Sequence, residues 1–246
     1  MGAQGKQSLR RMAKRLIPLR VIIRLMKIRL ISPRIIIHLF ASYQRGVGSP
    51  ELRLLSSLVD SQRNSVDVGA NIGVWSFLLA KISKRVIAYE PNPELASLLI
   101  RSMPKNVIVR RVALSSRQGF ATLSIPSVNK VEMVGLATLR SIPAKTTHRR
   151  FSVQTVRLDD EKLEGVGFIK IDVEGYEEEV IKGAEELIRR DRPILLVEIE
   201  QRYLDQDIQI VFNRILSFVY EGWYLKESRL CPIEGFSVER DQMKHV

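Results

Sequence analysis

The sequence predicts an α/β fold whose sheet is doubly wound and mostly parallel. Short apolar stretches such as "RVIAYE" and "PILLVEIE" have the length and composition of strands that are buried on both faces. These stretches alternate with helical ones, which is typical of a parallel sheet covered by helices on each side. With one cysteine, Cys231, among 246 residues that are 45% hydrophobic, no intramolecular disulfide is available and a hydrophobic core must hold the fold.

An N-terminal arm precedes this domain. Residues 1–50 contain eleven Lys or Arg and no Asp or Glu, whereas residues 51–246 contain 28 basic and 27 acidic residues. The stretch "YQRGVGSP" has two glycines and a proline and reads as a linker. We therefore assign residues 1–46 to a basic arm and residues 47–246 to the domain.

The arm has the pattern of a basic amphipathic helix. Apolar residues recur at helical spacing in its first part, and after Pro18 a narrow basic stripe runs along an apolar helix at Arg20, Arg24 and Lys27. No stretch reaches the roughly 18–20 uncharged apolar residues that a membrane span needs. The pattern over residues 8–31 favours contact with an anionic bilayer, which would make the protein cytoplasmic and peripheral at the inner membrane face. Packing of the arm on its own domain, or on a second copy, is the alternative.

The elements of the domain follow one another in a regular order. Helices are predicted for residues 51–59, 74–83, 93–103, 175–190 and 206–220. Strands are predicted for residues 65–69, 85–90, 106–116, 120–126, 151–158, 167–173 and 193–200, with a short strand-like tail. Residues 126–150 read as a polar loop that covers the ligand cleft. Ligands of such sheets bind outside the carboxyl ends of the strands, so those ends are the candidate site.

The first strand ends in the stretch "SVDVGANIGVWS", residues 65–76. Its glycines, Gly69 and Gly73, are spaced G-x-x-x-G rather than G-x-G-x-x-G, and Asn71 stands where a dinucleotide fingerprint has its second glycine. A pyrophosphate would have poor access to such a turn. A smaller, partly cationic cofactor tail would be favoured beside Asp67.

The second strand ends at Glu90, 21 residues after Gly69. A carboxylate at this place can accept hydrogen bonds from both hydroxyls of a ribose. The glycine turn and this acid together indicate an adenosine-type cofactor.

Six blocks then resemble the FkbM-type methyltransferases, in the same order: "VDVGANIGVWS", "AYEPNP", "VALSS", "VRLDD", "IKIDVEGYEEEVIKGAEELI" and "RPILLVEIE". The resemblance spans about residues 60–200. It implies S-adenosylmethionine as cofactor and a Rossmann-like class I methyltransferase domain. By position it implies that Asp67, Gly69, Asn71 and Gly73 hold the methionyl end and that Glu90 holds the ribose. Ser116 stands where the family commonly has an acid near the adenine.

Candidate residues for catalysis and for acceptor binding follow the later strands. Asp172, in "KIDVEG", is the first candidate for a base or for alignment of the acceptor, and Glu174 is the second. Glu198 would line the substrate side, and His148 in the polar loop is a further substrate-side candidate. Ion pairing of Asp172 with Lys170, and stabilisation of first-turn carboxylates by the helix dipole, are the structural alternatives. No zinc-ligand spacing is present, which predicts no metal site but leaves open a divalent ion held by carboxylates.

The predicted function is methylation of an oxygen, on a hydroxyl of a sugar, glycan, glycolipid or secondary metabolite. A nicotinamide-dependent oxidoreductase on the same sheet and a non-catalytic, membrane-associated nucleotide-binding protein are the competing hypotheses. Nucleic acid is a disfavoured partner, because the domain is near neutral and the arm has no aromatic residue before Phe40. The oligomeric state is left open.

Overall fold

The structure of the chain is a computed structural model that describes residues 32–43, 50–128, 131–141 and 148–242. The predicted basic helix over residues 8–31 and most of the predicted linker lie outside the described residues. Among the described residues, no helix has both the length and the apolar character needed to cross a bilayer.

The main sheet has five strands, and all of its pairs are parallel. The strands are β1 (Asn64–Val68), β2 (Val86–Tyr89), β3 (Val107–Arg110), β8 (Val166–Ile171) and β9 (Ile194–Val197), in the order β3-β2-β1-β8-β9. The chain winds outward from β1 to β3 and then returns to the other side of β1, so the switch point lies between β1 and β8. This topology confirms the predicted doubly wound α/β fold.

Helices cover both faces of this sheet. One face carries α1 (Pro33–Tyr43), α2 (Leu55–Leu58), α3 (Val74–Leu79) and α4 (Pro93–Ser102). The other face carries α5 (Glu177–Lys182), α6 (Glu185–Asp191) and α7 (Ile208–Leu216). Each layer has its own hydrophobic cluster against the sheet, because strands β1, β2 and β8 are buried over almost their whole length.

Helix α1 was predicted as part of the arm, and the structure packs it on the domain. Ile37 and Ala41 are buried in the cluster shared with α3 and α4, and the His38 ring meets the Phe77 ring edge to face at 5.6 Å. For this helix, the structure shows packing on its own domain, which was the alternative to membrane contact of the arm.

A second sheet contains the strands predicted over residues 120–126 and 151–158 and extends into the predicted polar loop. It consists of β4 (Ala113–Leu114), β5 (Gly119–Val128), β6 (Val131–Glu132) and β7 (His148–Val156), in the order β4-β7-β5-β6. The prediction of a loop over residues 126–150 was therefore wrong at both of its ends. The reason is that residues 119–126 of β5 pair with residues 148–155 of β7, and the two strands bury alternate apolar side chains, among them Leu123, Ile125 and Val153.

The predicted helix over residues 175–190 is divided into α5 and α6. The division falls at Gly183, where an added Cβ would lie 2.0 Å from the Ser115 carbonyl oxygen. The tail forms a hairpin of β10 (Trp223–Lys226) and β11 (Arg229–Pro232), followed by α8 (Val238–Asp241).

Candidate active site

A cleft of about 630 Å³ opens at the carboxyl ends of β1, β2 and β8, under the second sheet. Five of the residues singled out from the sequence line it: Gly69, Asn71, Glu90, Asp172 and Glu174. Apolar side chains from both sheets complete the wall, among them Tyr89, Leu95, Leu114, Leu123 and Leu139. Its place outside the strand ends is where the topology predicts a ligand site.

The glycine turn is built for close backbone approach. Gly69 has φ +78°, and a Cβ there would lie 2.0 Å from the Asp172 carbonyl oxygen. The Gly69 backbone therefore lies directly against the Asp172 carbonyl group at the end of β8, across the switch point. Gly73 has φ +86° and lies against Leu99 and Met103. Asn71 also adopts a left-handed conformation, at φ +53°, which asparagine tolerates better than most residues.

Glu90 ties the first two strand ends together. Its carboxylate accepts the backbone N–H of Asn71 at 2.7 Å and that of Asn92 at 2.8 Å. Burial raises its pKa to about 7, against the lowering effect of these two hydrogen bonds. Each oxygen keeps a further lone pair, so the carboxylate can accept hydrogen bonds from a ligand in the cleft.

Asp67 lies behind the cleft wall, fully buried. Its Oδ2 accepts a hydrogen bond from Ser76 Oγ at 2.5 Å, while its Oδ1 has no hydrogen-bond partner among the described residues and lies 3.8 Å from Lys170 Nζ. Burial raises the pKa of Asp67, and the charge of Lys170 opposes that rise.

Lys170 connects this buried acid to the cleft. Its Nζ donates to Asp172 Oδ2 at 3.0 Å. Burial lowers the pKa of Lys170, but the carboxylates of Asp172 and Asp67 raise it by more, so the net change is upward. The ion pair that the sequence left as an alternative is thus present. The Asp172 side chain remains partly exposed to the cleft.

The turn after β8 is held from two sides. Strand β8 ends at Ile171, and Glu174 has φ +55° in the turn that follows. From below, Glu177 Oε1 accepts the backbone N–H of Gly175 at 3.0 Å and that of Val173 at 3.3 Å. From above, Thr138 of the second sheet donates through Oγ1 to the Glu174 carbonyl oxygen at 2.8 Å. The conformation of the turn therefore depends on both sheets.

Four carboxylates come close together after the ends of β8 and β9: Asp172, Glu174, Glu198 and Glu200. Burial and the charges of the other three raise the pKa of Glu174 to about 9. The charge of Asp172, followed by burial, raises the pKa of Glu198 to about 8. The carboxyl of Glu174 also bonds the Tyr203 hydroxyl. Acids whose pKa values are shifted by burial and by neighbouring charges often have a chemical role.

Other predicted site residues lie outside the cleft lining. Ser116 Oγ donates a hydrogen bond to Glu179 Oε2. The neighbouring Ser115 Oγ is hydrogen-bonded to the Tyr176 hydroxyl at 3.2 Å. His148 begins β7 opposite Pro126. Glu198 follows β9, and its backbone N–H donates to the Ile171 carbonyl oxygen at 2.9 Å.

Sequence reasoning missed three residues that shape the site: Thr138, Glu177 and Tyr203. Glu177 had been considered only as a first-turn carboxylate, although it is buried and its Oε2 has no partner among the described residues. The sequence signal that could have identified Glu177 is its position three residues after Glu174. Nothing in the sequence around Tyr203 marks it out.

Comparison with known proteins matches residues 67–225 to the family described as "Methyltransferase FkbM domain". A curated relative, the hexuronic acid methyltransferase AglP of Haloferax volcanii, is 28% identical over 140 residues, which cover 54% of each chain. The chain thus spans about half the length of that relative.

Solved structures with similar folds include the methyltransferase FkbM of Methylobacillus flagellatus KT. It is 20% identical, the match covers 87% of this chain and 56% of that one, and the TM-score is 0.49. Another is the precorrin-6y C5,15-methyltransferase of Geobacter metallireducens GS-15, at 12% identity, 72% and 71% coverage and a TM-score of 0.40.

Proposed function

The chain belongs to the FkbM methyltransferase family, and we propose that it transfers a methyl group from S-adenosylmethionine to a hydroxyl of a sugar. The sugar would be part of a glycan, a glycolipid or a secondary metabolite. One observation carries this proposal: a single cleft contains both the Gly69 turn with Glu90 and the acidic turn with Asp172 and Glu174. Cofactor-type and acceptor-type groups are thereby within reach of each other.

The residues present fit the proposed cofactor. One buried oxygen beside the glycine turn, Asn71 Oδ1, has no hydrogen-bond partner among the described residues, and such an atom is costly unless a ligand satisfies it. We propose that Asp67, Gly69, Asn71 and Gly73 hold the methionyl end and that Glu90 accepts hydrogen bonds from the ribose. When bound, S-adenosylmethionine supplies a methyl carbon activated by its sulfonium. The Ser116 hydroxyl donates to Glu179 and keeps its lone pairs, so we propose that it accepts a hydrogen bond from the adenine amino group.

We propose Asp172 as the group that receives the acceptor's proton. A hydroxyl must lose its proton as its oxygen is methylated, so a carboxylate within reach of it assists the reaction. Asp172 Oδ2 is bonded to Lys170, which leaves Oδ1 for the acceptor. Glu174, with its pKa raised to about 9, carries its proton at neutral pH and can donate a hydrogen bond to another oxygen of the sugar. Glu198 would act in the same way at the rim.

The sugar class rests on likeness and on chemistry. The relative AglP is named a hexuronic acid methyltransferase, which supports a sugar acceptor. Carboxyl groups that donate and accept hydrogen bonds suit a polyhydroxylated ligand. His148 remains a candidate for contact with more distant parts of an extended acceptor.

Calorimetric titration of the full chain with S-adenosylmethionine, S-adenosylhomocysteine and NAD tests the cofactor. We expect binding of both S-adenosyl compounds and none of NAD; tight NAD binding without S-adenosyl binding would overturn the proposal in favour of an oxidoreductase.

Asp172→Asn tests the reaction. With a radiolabelled methyl donor and a glycan extract, turnover should fall below about 1% of wild type while binding of S-adenosylhomocysteine is retained. Full turnover by Asp172→Asn would remove Asp172 as the base.

The arm carries a separate proposal, based on its sequence. The charge and amphipathic pattern of residues 8–31 support attachment to the cytoplasmic face of an anionic membrane. Substitution of Arg20, Arg24 and Lys27 by Glu in the full chain should reduce co-sedimentation with anionic vesicles, whereas substitution of the two arginines by Lys should not. Equal sedimentation of both variants would contradict this.

A further inference from the structure

One helical layer of the domain has no acidic residue over long stretches. Residues 32–43, 69–89 and 95–106, which include α1, α3 and most of α4, contain six Lys or Arg and no Asp or Glu. The remainder of residues 51–246 contains 23 Lys or Arg and 27 Asp or Glu. The near-neutral net charge of the domain therefore conceals an uneven distribution of its basic and acidic residues.

The six cations gather at the amino-terminal edge of the main sheet. Lys81, Lys84 and Arg85 lie between α3 and the start of β2, and Arg101 and Lys105 lie between the end of α4 and the start of β3. All five are exposed. Among the described residues, none of the five forms an ion pair, so their charges are not neutralised by a neighbouring carboxylate within that part of the chain.

Helix α1 joins this group and adds apolar side chains. The Arg34 guanidinium donates to the Met103 carbonyl oxygen at 3.5 Å, which places the start of α1 beside the end of α4. Ile35 and Leu39, one turn apart, are 53% and 64% exposed, and Ile100 on α4 is 61% exposed. We call Arg34, Ile35, Leu39, Ile100 and the five cations the basic helix face. Exposed aliphatic side chains among unpaired cations are the pattern of a surface that lies on a membrane.

From this juxtaposition we propose that the basic helix face docks on an anionic lipid bilayer, with the cations at the phosphate headgroups and the aliphatic side chains in the acyl boundary. The proposal concerns the folded domain and does not depend on the methyl transfer. The nine basic residues among residues 1–31 support it, because they directly precede α1 in the sequence and carry the same sign of charge. That shared sign also disfavours folding of the arm back onto these cations.

RNA is the other polyanion that such a face could meet, and the exposed side chains favour lipid over it. RNA-binding surfaces use aromatic side chains on which bases stack, whereas the exposed apolar members here are Ile and Leu. The orientation is compatible with function, because the cations lie at the amino-terminal edge of the sheet and the cleft opens at the opposite edge. A domain seated on this face keeps its cleft open.

Co-sedimentation of the full chain with vesicles tests the proposal, using phosphatidylcholine with and without about 30% phosphatidylglycerol, a content that gives a strongly negative surface. One variant combines Arg101→Glu with Lys105→Glu, and a second combines Ile35→Ser with Leu39→Ser. The control combines Arg150→Glu with Arg229→Glu, two exposed cations outside the basic helix face that change the net charge by the same amount. Thermal unfolding by circular dichroism verifies that each variant folds, and light scattering gives its oligomeric state.

We expect the wild type and the control to bind the anionic vesicles with equal affinity. Each variant of the basic helix face should bind them at least about tenfold more weakly. The arm is intact in every chain, so such a loss belongs to the face. Binding that is absent in the wild type, independent of phosphatidylglycerol, or equal in all variants would overturn the proposal. Binding of a single-stranded RNA oligonucleotide that is as tight as vesicle binding, and that is lost in the same variants, would also overturn it. A change of oligomeric state in these variants, without a change in vesicle binding, would do the same.

Discussion

The affinity for S-adenosylhomocysteine should rise with pH between 6 and 8, through the ionisation of Glu90. In the ligand-free protein burial raises the pKa of this carboxyl to about 7. Its charged form is the better acceptor for ribose hydroxyls. A group with a pKa of 7 is about 90% ionised at pH 8 and about 10% ionised at pH 6, so the dissociation constant should be about tenfold higher at pH 6. That ratio corresponds to about 1.4 kcal/mol.

The stability of the ligand-free protein should change in the opposite direction. The pKa of Glu90 in the fold lies above its ordinary value of 4.5, so the folded state binds the proton more tightly than the unfolded chain does. Its contribution to the free energy of unfolding is therefore full below pH 4.5 and is lost as the pH rises through 7, by up to about 3 kcal/mol. Ligand affinity and ligand-free stability thus have opposite slopes over the same range.

Titration calorimetry at pH 6, 7 and 8, in buffers of different protonation enthalpy, measures both the affinity and the protons released. Glu90→Gln is the control, because glutamine does not titrate. It should bind weakly at every pH and lose the slope. Affinity that is flat in the wild type, or a full tenfold slope in Glu90→Gln, would refute this reasoning.

Three further substitutions probe the framework of the cleft. Gly69→Ala should destabilise the fold by about 3 kcal/mol or more, because its Cβ meets the Asp172 carbonyl oxygen in a left-handed conformation; an unchanged thermal melt would contradict this. Glu177→Ala should lower the free energy of unfolding in urea by about 2–4 kcal/mol, since two backbone N–H groups lose their acceptor, and Glu177→Gln, which keeps an acceptor oxygen, should lose less. Thr138→Val removes the acceptor of the Arg140 N–H, and exchange of that amide should accelerate about tenfold; an unchanged exchange rate would show that the contact is dispensable.

The residues that we propose to hold the cofactor could be predicted from the sequence because they are local. Asp67, Gly69, Asn71 and Gly73 follow one strand, and their backbone conformations are dictated by the residues themselves. Glu90 could be placed beside them because the ends of neighbouring parallel strands meet at one edge of a sheet. The structure confirms that these two strand ends meet, because the Asn71 N–H donates a hydrogen bond to the Glu90 carboxylate.

The acceptor half depends on contacts between distant segments, which local patterns do not encode. Thr138 reaches Glu174 because the segment after β6 pairs through Thr138 with Ser124 of β5, a contact that local sequence patterns do not encode. The mutual effect of Asp172, Glu174 and Glu198 on their pKa values depends on side-chain distances that the sequence does not specify. Helix α1 illustrates the same limit, since its charge resembles that of the arm while Ile37 and Ala41 are buried in the domain.

The second sheet has a consequence for how members of this family can diverge. Strands β4 to β7 lie in one uninterrupted stretch, residues 113–156, which is inserted between β3 and β8 of the main sheet. This stretch supplies one wall of the cleft, whereas the glycine turn and Glu90 are encoded before it. Insertions or deletions within residues 113–156 would therefore remodel this wall and leave Gly69 and Glu90 unaltered.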